Sequence, residues 1–473
     1  MSAQPERTNV VVGIVRTPDP LNLCAELYRR ALEQLRKMRG VEVIESEREL
    51  DSAASAALVA DEFTRRSVDL SLILCCRLAG DGKIVEPFMR SGQELAVWSV
   101  PEPQRTGYLL LNSLTCANLY LSAAEQLSAD CRNKKAKWLY GEPENPYFAR
   151  RIKITIDAIR AVKCLSEATI LRVGATTEGF TNLQFHAQSV FLRHGVKTAE
   201  ADLKLLAERM DRVPQEKAIA LAERMHAWAM NGAGFEHEVN QSARLALALE
   251  SLRQETGADA LALRCWPEIQ GEWKFSACLA VSYLNEMGTI VSCESDVPGA
   301  LSMLLAHEVS GGHPLLLDLV AADLERDALQ FWHCGVGMRC YMDGAGCGLM
   351  KYPCDAKVLD LPGACVNMKF APKQITICRL YGDDAGRLFV CEAEFVEGPD
   401  AGFDGGRGWV GNFTMEGRPV SAAGFLDIAF GAGMPHHYAL CEGHFEAALR
   451  EFALRGGLET VPWSAYTDEL RRQ

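Results

Sequence analysis

A strand, a helix and a second strand follow one another in the middle of this chain, and this order limits the folds that it can adopt. The short run Thr289–Val291 is β-branched and the short run Leu315–Leu317 is apolar, and both patterns predict buried strands. Asp296 is a suitable N-cap for the intervening helix, Pro298 fits its first turn, and Gly311 predicts its end. A unit of this kind indicates a parallel sheet that is covered by helices.

An acidic residue follows each of these two predicted strands. Glu294 comes after the first strand, and Asp318 comes after the second. If the strands are parallel neighbours, both carboxylates reach the edge of the sheet at which open α/β folds bind ligands. Two converging carboxylates suit a divalent metal ion or an acid–base pair. The alternative is that one acid caps a helix while the other is solvated.

The same alternation of strand and helix patterns fills the first two thirds of the chain, whereas the last third has short strands and turns. The predicted fold class is therefore α/β, with two doubly wound α/β domains and a smaller antiparallel β domain at the C-terminus. The predicted domain ranges are 1–166, 167–330 and 331–473.

Three local predictions can be compared directly with a structure. Ala199–Arg212 is predicted to be helical, because alanine and leucine recur in it at helical spacing. Lys357–Leu361 is predicted to be a strand. Ala401–Trp409 is predicted to be a loop, because glycine is frequent in it.

The acidic segment resembles the metal-binding segment of the L-fucose isomerases. In that family a glutamate, followed by x-Asp and a helix with an early glycine, precedes a second acid at the separation of Asp318 from Glu294. The family also has a C-terminal histidine that is followed seven residues later by a Gly-His pair, and His437 matches this histidine. The related L-arabinose isomerases have a metal-site histidine at an offset comparable to that of His333. The resemblance implies a metal site formed by Glu294, Asp318 and His437.

The resemblance further implies a metal-dependent aldose–ketose isomerase that acts on an open-chain sugar through a cis-enediol. Mn²⁺ is the expected cofactor, with Mg²⁺ or Co²⁺ as possible substitutes, and Glu294 and Asp318 are the expected base and acid partner, in either order. The expected substrate is a pentose, a 6-deoxyhexose or a 6-sulfo sugar such as sulfoquinovose. Relatives of this kind share active sites between subunits, so a homo-oligomer is expected (a hexamer, tetramer or dimer).

Six further residues are candidates for binding the substrate, because their polar or aromatic side chains follow predicted strands or adjoin the proposed ligands. They are Arg16, Glu268, Gln270, His333, Trp409 and His436. Each also has a purely structural interpretation: a surface arginine, a solvated glutamate, a hydrogen-bonded histidine or a core tryptophan. A sulfonate would in addition need cations, for which Arg16, Arg264 and Arg339 are the candidates.

The charge balance and the chain start exclude several classes of protein. The 473 residues include 49 Lys and Arg against 62 Asp and Glu, a net charge of −13, which disfavours nucleic acid as a partner. The N-terminal residues lack the features of a signal peptide, and no apolar run is long enough to span a bilayer, so we expect a cytoplasmic protein without membrane contact. No glycine-rich phosphate loop follows the first strand, so we expect no nucleotide cofactor.

The 17 cysteines are scattered along the chain and form no C-x-x-C pair. Many of them lie in apolar strands, so we predict buried free thiols. The series Cys334, Cys340, Cys347 and Cys354 could suggest zinc, but its gaps are too long for a usual zinc knuckle.

Two other functions are compatible with the same sequence. One is a sugar-binding or regulatory protein without catalysis, which would not need two acids and a distant histidine around one ion. The other is a metal-dependent sugar epimerase or lyase, which would use the same ligands on a different proton. Bound metal and the identity of the product distinguish the three.

Overall fold

The structure is a computed structural model, and it describes residues 9–131, 134–229, 234–353 and 363–464. The chain divides into two compact units. The first unit is Pro5–Lys163, and the second begins at Cys164. The domain boundaries at residues 166 and 330 stay predictions.

The first unit contains a five-stranded parallel sheet with the strand order β2–β1–β3–β4–β5. Its strands are β1 Val10–Arg16, β2 Val41–Glu49, β3 Leu70–Cys75, β4 Glu94–Ser99 and β5 Lys137–Tyr140. Its helices are α1 Ala25–Lys37, α2 Ala53–Arg65, α3 Glu86–Arg90, α4 Ser113–Ser128 and most of α5 Pro146–Glu167, whose last four residues fall in the second unit. Successive strand residues enter two separate cores, since Ile14 belongs to one and Val15 to the other. The sheet is therefore covered on both faces, as predicted for a doubly wound fold.

The second unit begins with a four-stranded parallel sheet in the order β7–β6–β8–β9. Its strands are β6 Thr169–Val173, β7 Lys197–Ala201, β8 Ala260–Leu263 and β9 Ile290–Ser292. Its helices are α6 Ala187–His194, α7 Leu203–Asp211, α8 Gln215–Trp228, α9 Glu236–Thr256, α10 Glu268–Gly271, α11 Cys278–Glu286 and α12 Val297–Ser310. The prediction of one helix over Ala199–Arg212 is wrong at its start, because pairing with β6 makes residues 197–201 an edge strand despite their alanines.

A mixed sheet forms the rest of the second unit, and six of its strands close into a ring. The strands of this sheet are β10 Leu315–Asp323, β11 Ala328–His333, β12 Met342–Lys351, β13 Gly363–Phe370, β14 Lys373–Tyr381, β15 Arg387–Val396, β16 Gly406–Met415, β17 Arg418–Pro419, β18 His437–Glu442 and β19 Glu459–Thr460. Each neighbouring pair in the ring β16–β11–β10–β18–β14–β15 is antiparallel, and β15 pairs with β16 to close it. Two more helices are α13 Ala422–Gly431 and α14 Glu446–Gly456. The predicted β-rich C-terminal part is thus a small antiparallel barrel.

Aromatic rings fill the barrel and show which strand faces point inward. Phe331 of β11, Phe389 of β15 and Tyr438 of β18 all contact the ring of Phe425 from α13, with centroids 5.3 to 6.1 Å apart. These strands are not neighbours in the ring, so the contacts cross the interior. Because side chains alternate along a strand, His437 lies on the outer face of the barrel, next to α12.

Two predictions about strands need correction. Asp318 lies within β10, and β10 belongs to the barrel sheet and not to the parallel sheet that contains β9. Glu294 and Asp318 therefore approach from two different sheets. Gly406–Trp409 is part of β16 and not a loop, because a Cβ on Gly408 would lie 2.6 Å from the Phe395 ring, so glycine permits close strand pairing there.

Three further points concern membrane-spanning helices, the cysteines and one predicted strand. In the ranges given above, no helix is both long and apolar enough to cross a membrane. The cysteines in these ranges are free thiols, as predicted, and most of them are buried. The predicted strand Lys357–Leu361 lies outside the described residues.

Candidate metal centre

Two carboxylates and one imidazole meet on the outer face of the barrel. His437 is the first residue of β18 and is paired in register with Asp318 of β10. The Nε2 atom of His437 lies 3.5 Å from Asp318 Oδ1 and 3.6 Å from Glu294 Oε2. The structure therefore brings together the three residues that the sequence suggested as metal ligands.

Glu294 occupies a tight turn between β9 and α12. Glu294 and Ser295 both have left-handed backbones, with φ of 59° and 58°. The Ser295 amide donates to Leu263 O at 3.0 Å, and its hydroxyl donates to Gly174 O at 2.7 Å, so β8 and the residue after β6 hold this turn. Such conformations cost on the order of 1 kcal/mol or more for non-glycine residues and are frequent at functional sites.

Asp296 lies directly behind His437 and is completely buried. It caps α12 by accepting from the Gly299 amide at 2.8 Å, as the sequence predicted. It also accepts two hydrogen bonds from the guanidinium of Arg379, at 2.7 and 2.9 Å, and lies 2.9 Å from Nδ1 of His437. Burial alone would raise the pKa of Asp296, but the charge of Arg379 and the His437 contact hold that pKa well below its usual range.

Two more histidines border the same position. His333 ends β11, and its ring lies 5.8 Å from that of His437. The Nε2 atom of His436 lies 3.1 Å from Glu294 Oε2. Its Nδ1 atom lies 2.9 Å from the side-chain nitrogen of Asn182. Two triads can each present ligand atoms within 4.8 Å of one another: Glu294, His436 and His437, and Asp318, His333 and His437.

The charges at this site depend on one another. Burial raises the pKa of Glu294, but the hydrogen bond from His436 and the nearby His437 and His333 lower it more, so its net shift is downward. Burial lowers the pKa of His437, but the hydrogen bond to Asp296 and the charges of Asp318 and Glu294 raise it overall. The site therefore favours negative carboxylates beside positive charge, the balance that a bound cation satisfies.

Three buried atoms of this group have no hydrogen-bond partner among the described residues: Asp318 Oδ1, His333 Nε2 and His437 Nε2. Buried polar atoms without a partner are rare, because leaving one unsatisfied costs about 1–3 kcal/mol. Oxygen and imidazole nitrogen are suitable ligands for Mn²⁺, Mg²⁺ or Co²⁺. Each of the two triads therefore fits a divalent ion; they share His437, and Glu294 and Asp318 belong to different triads.

Three candidates for binding the substrate or its sulfonate follow β8 in the chain: Arg264, Glu268 and Gln270. Glu268 starts α10 and forms an ion pair with Arg264 at 2.6 Å, and Arg264 also donates to the carbonyls of Ala175 and Thr176. Arg264 is thus engaged within the protein. Gln270 is 2% exposed, and its Oε1 has no hydrogen-bond partner in the described ranges.

The other substrate-binding candidates lie elsewhere. Trp409 lies in β16, paired with Gln330 and Val396, and is almost fully buried. Arg339 is an exposed residue of a short 3₁₀ helix. Arg16 belongs to the first unit, where it forms an ion pair with Glu49 and lies 5.4 Å from the centre of the Tyr28 ring.

A cavity of about 610 Å³ lies beside Trp332 of β11, and none of the residues of the two triads lines it. Trp332 lines it and is the register partner of Asp318 across β10 and β11, so both side chains leave the same face of the sheet. The other lining residues are Val320, Met350, Lys351, Tyr352, Pro353, Phe403 and Asp404. Sequence reasoning selected Trp409 for an aromatic wall and missed Trp332, although Trp332 precedes His333 directly.

The sequence of this chain is similar to those of two bacterial enzymes. A sulfoquinovose isomerase from Priestia megaterium is 28% identical over 449 residues, which are 92% of this chain and 95% of that protein. One from Alkalicoccus urumqiensis is 30% identical over 259 residues, 54% of this chain and 57% of that protein. No family model matches the chain. A LacI family regulator from Enterococcus faecium with bound ribose is 12% identical and covers 60% of this chain and 94% of its own, but its TM-score of 0.16 supports no relation between the folds.

Proposed function

We propose that this chain is a divalent-metal-dependent aldose–ketose isomerase that acts on a sugar with an anionic C6 substituent, with sulfoquinovose as the first candidate. The similarity to sulfoquinovose isomerases over most of the chain supports an isomerase that acts on a sugar. The observation that carries the metal is the convergence of Glu294, Asp318 and His437 around unpartnered buried atoms. The resemblance to L-fucose and L-arabinose isomerases stays a prediction.

Glu294, Asp318 and His437 would hold the ion in this proposal, with His333 as a fourth ligand. The ion, when bound, polarises the sugar carbonyl and lowers the pKa of the adjacent C–H bond. Two carboxylates and imidazole nitrogens favour Mn²⁺ or a similar ion. The ligands come from the barrel sheet and from the turn that follows β9 of the parallel sheet, so the folded barrel and the parallel layer must both be in place.

Glu294 is the base that we assign to the proton at C2 of the open-chain sugar. Its lowered pKa keeps it ionised at neutral pH, and its side chain is 18% exposed, so the carboxylate remains accessible to a substrate. His436 and Asn182 fix the orientation of this carboxylate through Glu294 Oε2. Glu294 would return the proton to C1 after the cis-enediol forms, with Asp318 as its acid partner, and either order of the two acids is compatible with the geometry.

The cavity beside Trp332 is the space that we assign to the rest of the sugar. Trp332, Tyr352 and Phe403 supply aromatic surface, which binds the apolar faces of sugars. Lys351 adds a positive charge to this wall, which a sulfonate group would favour. Glu268 and Gln270 stay candidates for hydrogen bonds to the substrate, although Arg264 already neutralises Glu268.

The direct test is product analysis by NMR in D₂O with sulfoquinovose and Mn²⁺, with glucose as the matched substrate without a sulfonate. We expect the ketose of sulfoquinovose with deuterium at C1, and much slower reaction of glucose. Deuterium in recovered aldose with inverted C2 would instead indicate an epimerase. A product with a new double bond would indicate a lyase, and binding without any product would indicate a sugar-binding protein.

The expected homo-oligomer is part of the same proposal. Sedimentation velocity would show whether the chain forms a hexamer, tetramer or dimer. Loss of activity on dilution to monomers would support active sites that are shared between subunits, and a fully active monomer would contradict this arrangement.

A further inference from the structure

We propose that Asp296 and Arg379 form a positioning pair that directs the lone pair of His437 Nε2 toward the ion without binding the ion themselves. This inference rests on the proposed function, because it concerns the same ion. Neither Asp296 nor Arg379 belongs to the two triads that could ligate a metal. Their role follows from what each of their atoms contacts.

Every acceptor position of the Asp296 carboxylate is occupied by a donor. Oδ1 accepts from the Gly299 amide and from Arg379, while Oδ2 accepts from Arg379 and faces Nδ1 of His437. An ionised carboxylate has no proton to give, so the hydrogen of the contact with His437 must reside on Nδ1. A neutral imidazole with its proton on Nδ1 presents a lone pair on Nε2. That atom faces Glu294 and Asp318 and has no other partner in the described ranges.

Stability alone does not explain this pair. Arg379 is 1% exposed and Asp296 is fully buried, so both charges have lost their hydration. Buried ion pairs of this kind add little to stability relative to apolar residues of the same volume, because desolvation offsets their attraction. What an apolar pair would not supply is a fixed acceptor for Nδ1–H. Hydrogen bonding of this kind to a metal-binding histidine commonly sets its tautomer and ring orientation.

The same aspartate also connects two ligands of the proposed ion. Asp296 closes the turn that contains Glu294, since its amide donates to Cys293 O at 3.1 Å and its side chain caps α12. Its other oxygen orients His437 on β18. Arg379 on β14 holds both oxygens in a fixed plane through its two terminal nitrogens. One residue thus fixes the relative placement of a carboxylate ligand from the turn and an imidazole ligand from the barrel.

The test uses the double variant Asp296→Asn with Arg379→Met, which removes both buried charges together and therefore avoids an unpaired cation. We expect it to fold but to bind Mn²⁺ about 10–100-fold more weakly than the wild type in calorimetric titration. The matched control is Glu451→Gln, which breaks another buried ion pair, with Arg455, in the same unit. The control should lower the melting temperature without changing the Mn²⁺ affinity.

A second measurement locates the proton on the His437 ring directly and does not depend on enzymatic activity. In metal-free wild-type protein labelled with ¹⁵N-histidine, at alkaline pH, we expect the His437 ring to carry its proton on Nδ1 alone. The double variant should show a mixture of both tautomers. Unchanged Mn²⁺ affinity or an unchanged tautomer in the folded double variant would overturn the positioning role. A wild type that binds no Mn²⁺ would instead refute the metal dependence in the proposed function, while the tautomer measurement would still decide the role of Asp296.

Discussion

The backbone of Glu294 adopts an unfavourable conformation that directs its carboxylate toward His437. The left-handed conformation of Glu294 and Ser295 is unfavourable, yet hydrogen bonds to Leu263 O and Gly174 O hold both residues in it. The result is a carboxylate that projects from the turn toward His437. Removing its charge should therefore affect chemistry more than folding.

Glu294→Gln should lower kcat by about 10²- to 10⁴-fold, the usual contribution of a general base. The matched control is Glu416→Gln, because Glu416 has a similar left-handed φ of 53° but lies in the turn between β16 and β17. Both variants should melt near the wild-type temperature. Full isomerase activity of Glu294→Gln would contradict the assigned role.

His333→Asn should weaken Mn²⁺ binding by at least about tenfold, because His333 Nε2 is buried, lacks a partner among the described residues and borders the ion position. The control is His313→Asn, since His313 contacts the Asn285 carbonyl away from the two triads. Electron paramagnetic resonance of free Mn²⁺ measures both affinities. Equal affinities for the two variants would exclude His333 as a ligand.

Some residues of the site could be selected from the sequence, and others could not. Glu294, Asp318 and His437 could be selected because their spacing matches a family motif, and Asp296 because caps have a local signature. Arg379 could not be selected, since nothing local relates it to a carboxylate 83 positions away. Long-range ion pairs become visible only when the strand order is known.

Among the elements, α12 has the closest connection to the site. It is capped by Asp296, packs on β18 and β14, and is buried over nearly its whole length. Its third residue, Gly299, leaves no room for a side chain. A Cβ there would overlap the Asp296 carboxylate and lie 2.8 Å from Arg379 Nη1.

Gly299→Ala should therefore displace the Asp296–Arg379 pair, with a loss of about 1–3 kcal/mol in the free energy of unfolding and weaker Mn²⁺ binding. Gly271→Ala is the control, because Gly271 ends a helix in open space and has no atom within 4 Å of the added Cβ. Chemical denaturation with and without Mn²⁺ measures both effects. If the Gly299→Ala variant is as stable as the wild type and binds Mn²⁺ equally tightly, the close approach of Gly299 to the Asp296–Arg379 pair is unimportant.

The strands were predictable as strands, but their partners were not. The run Leu315–Leu317 has the continuous apolar pattern of a strand that is buried on both faces, and this pattern is the same in a parallel sheet and in a barrel. Only the antiparallel pairing with β11 and β18 shows that it belongs to the barrel. The glycines at the start of β16 indicated a loop for the same reason, since close packing against Phe395 is a tertiary effect.

At the scale of the whole molecule, the proposed ion joins parts of the second unit that are distant in sequence. Glu294 comes from the parallel layer, and Asp318 and His437 come from the barrel. A ligand that binds only the folded state stabilises it by about 2.7 kcal/mol at a hundredfold excess over its Kd.

Removal of the metal with a chelator should thus lower the melting temperature and abolish isomerisation, and added Mn²⁺ should restore both. Differential scanning calorimetry should show the shift in the transition of the second unit, while the transition of Pro5–Lys163 stays constant. A wild type that keeps its activity after complete chelation would contradict the metal dependence.

The most direct test of the central claim is anomalous diffraction from crystals grown with Mn²⁺. We predict one strong manganese peak within bonding distance of Glu294, Asp318 and His437, with Asp296 hydrogen-bonded behind His437 and outside the coordination shell. A manganese peak elsewhere, or ordered side chains at this position without any peak at saturating Mn²⁺, would contradict the account.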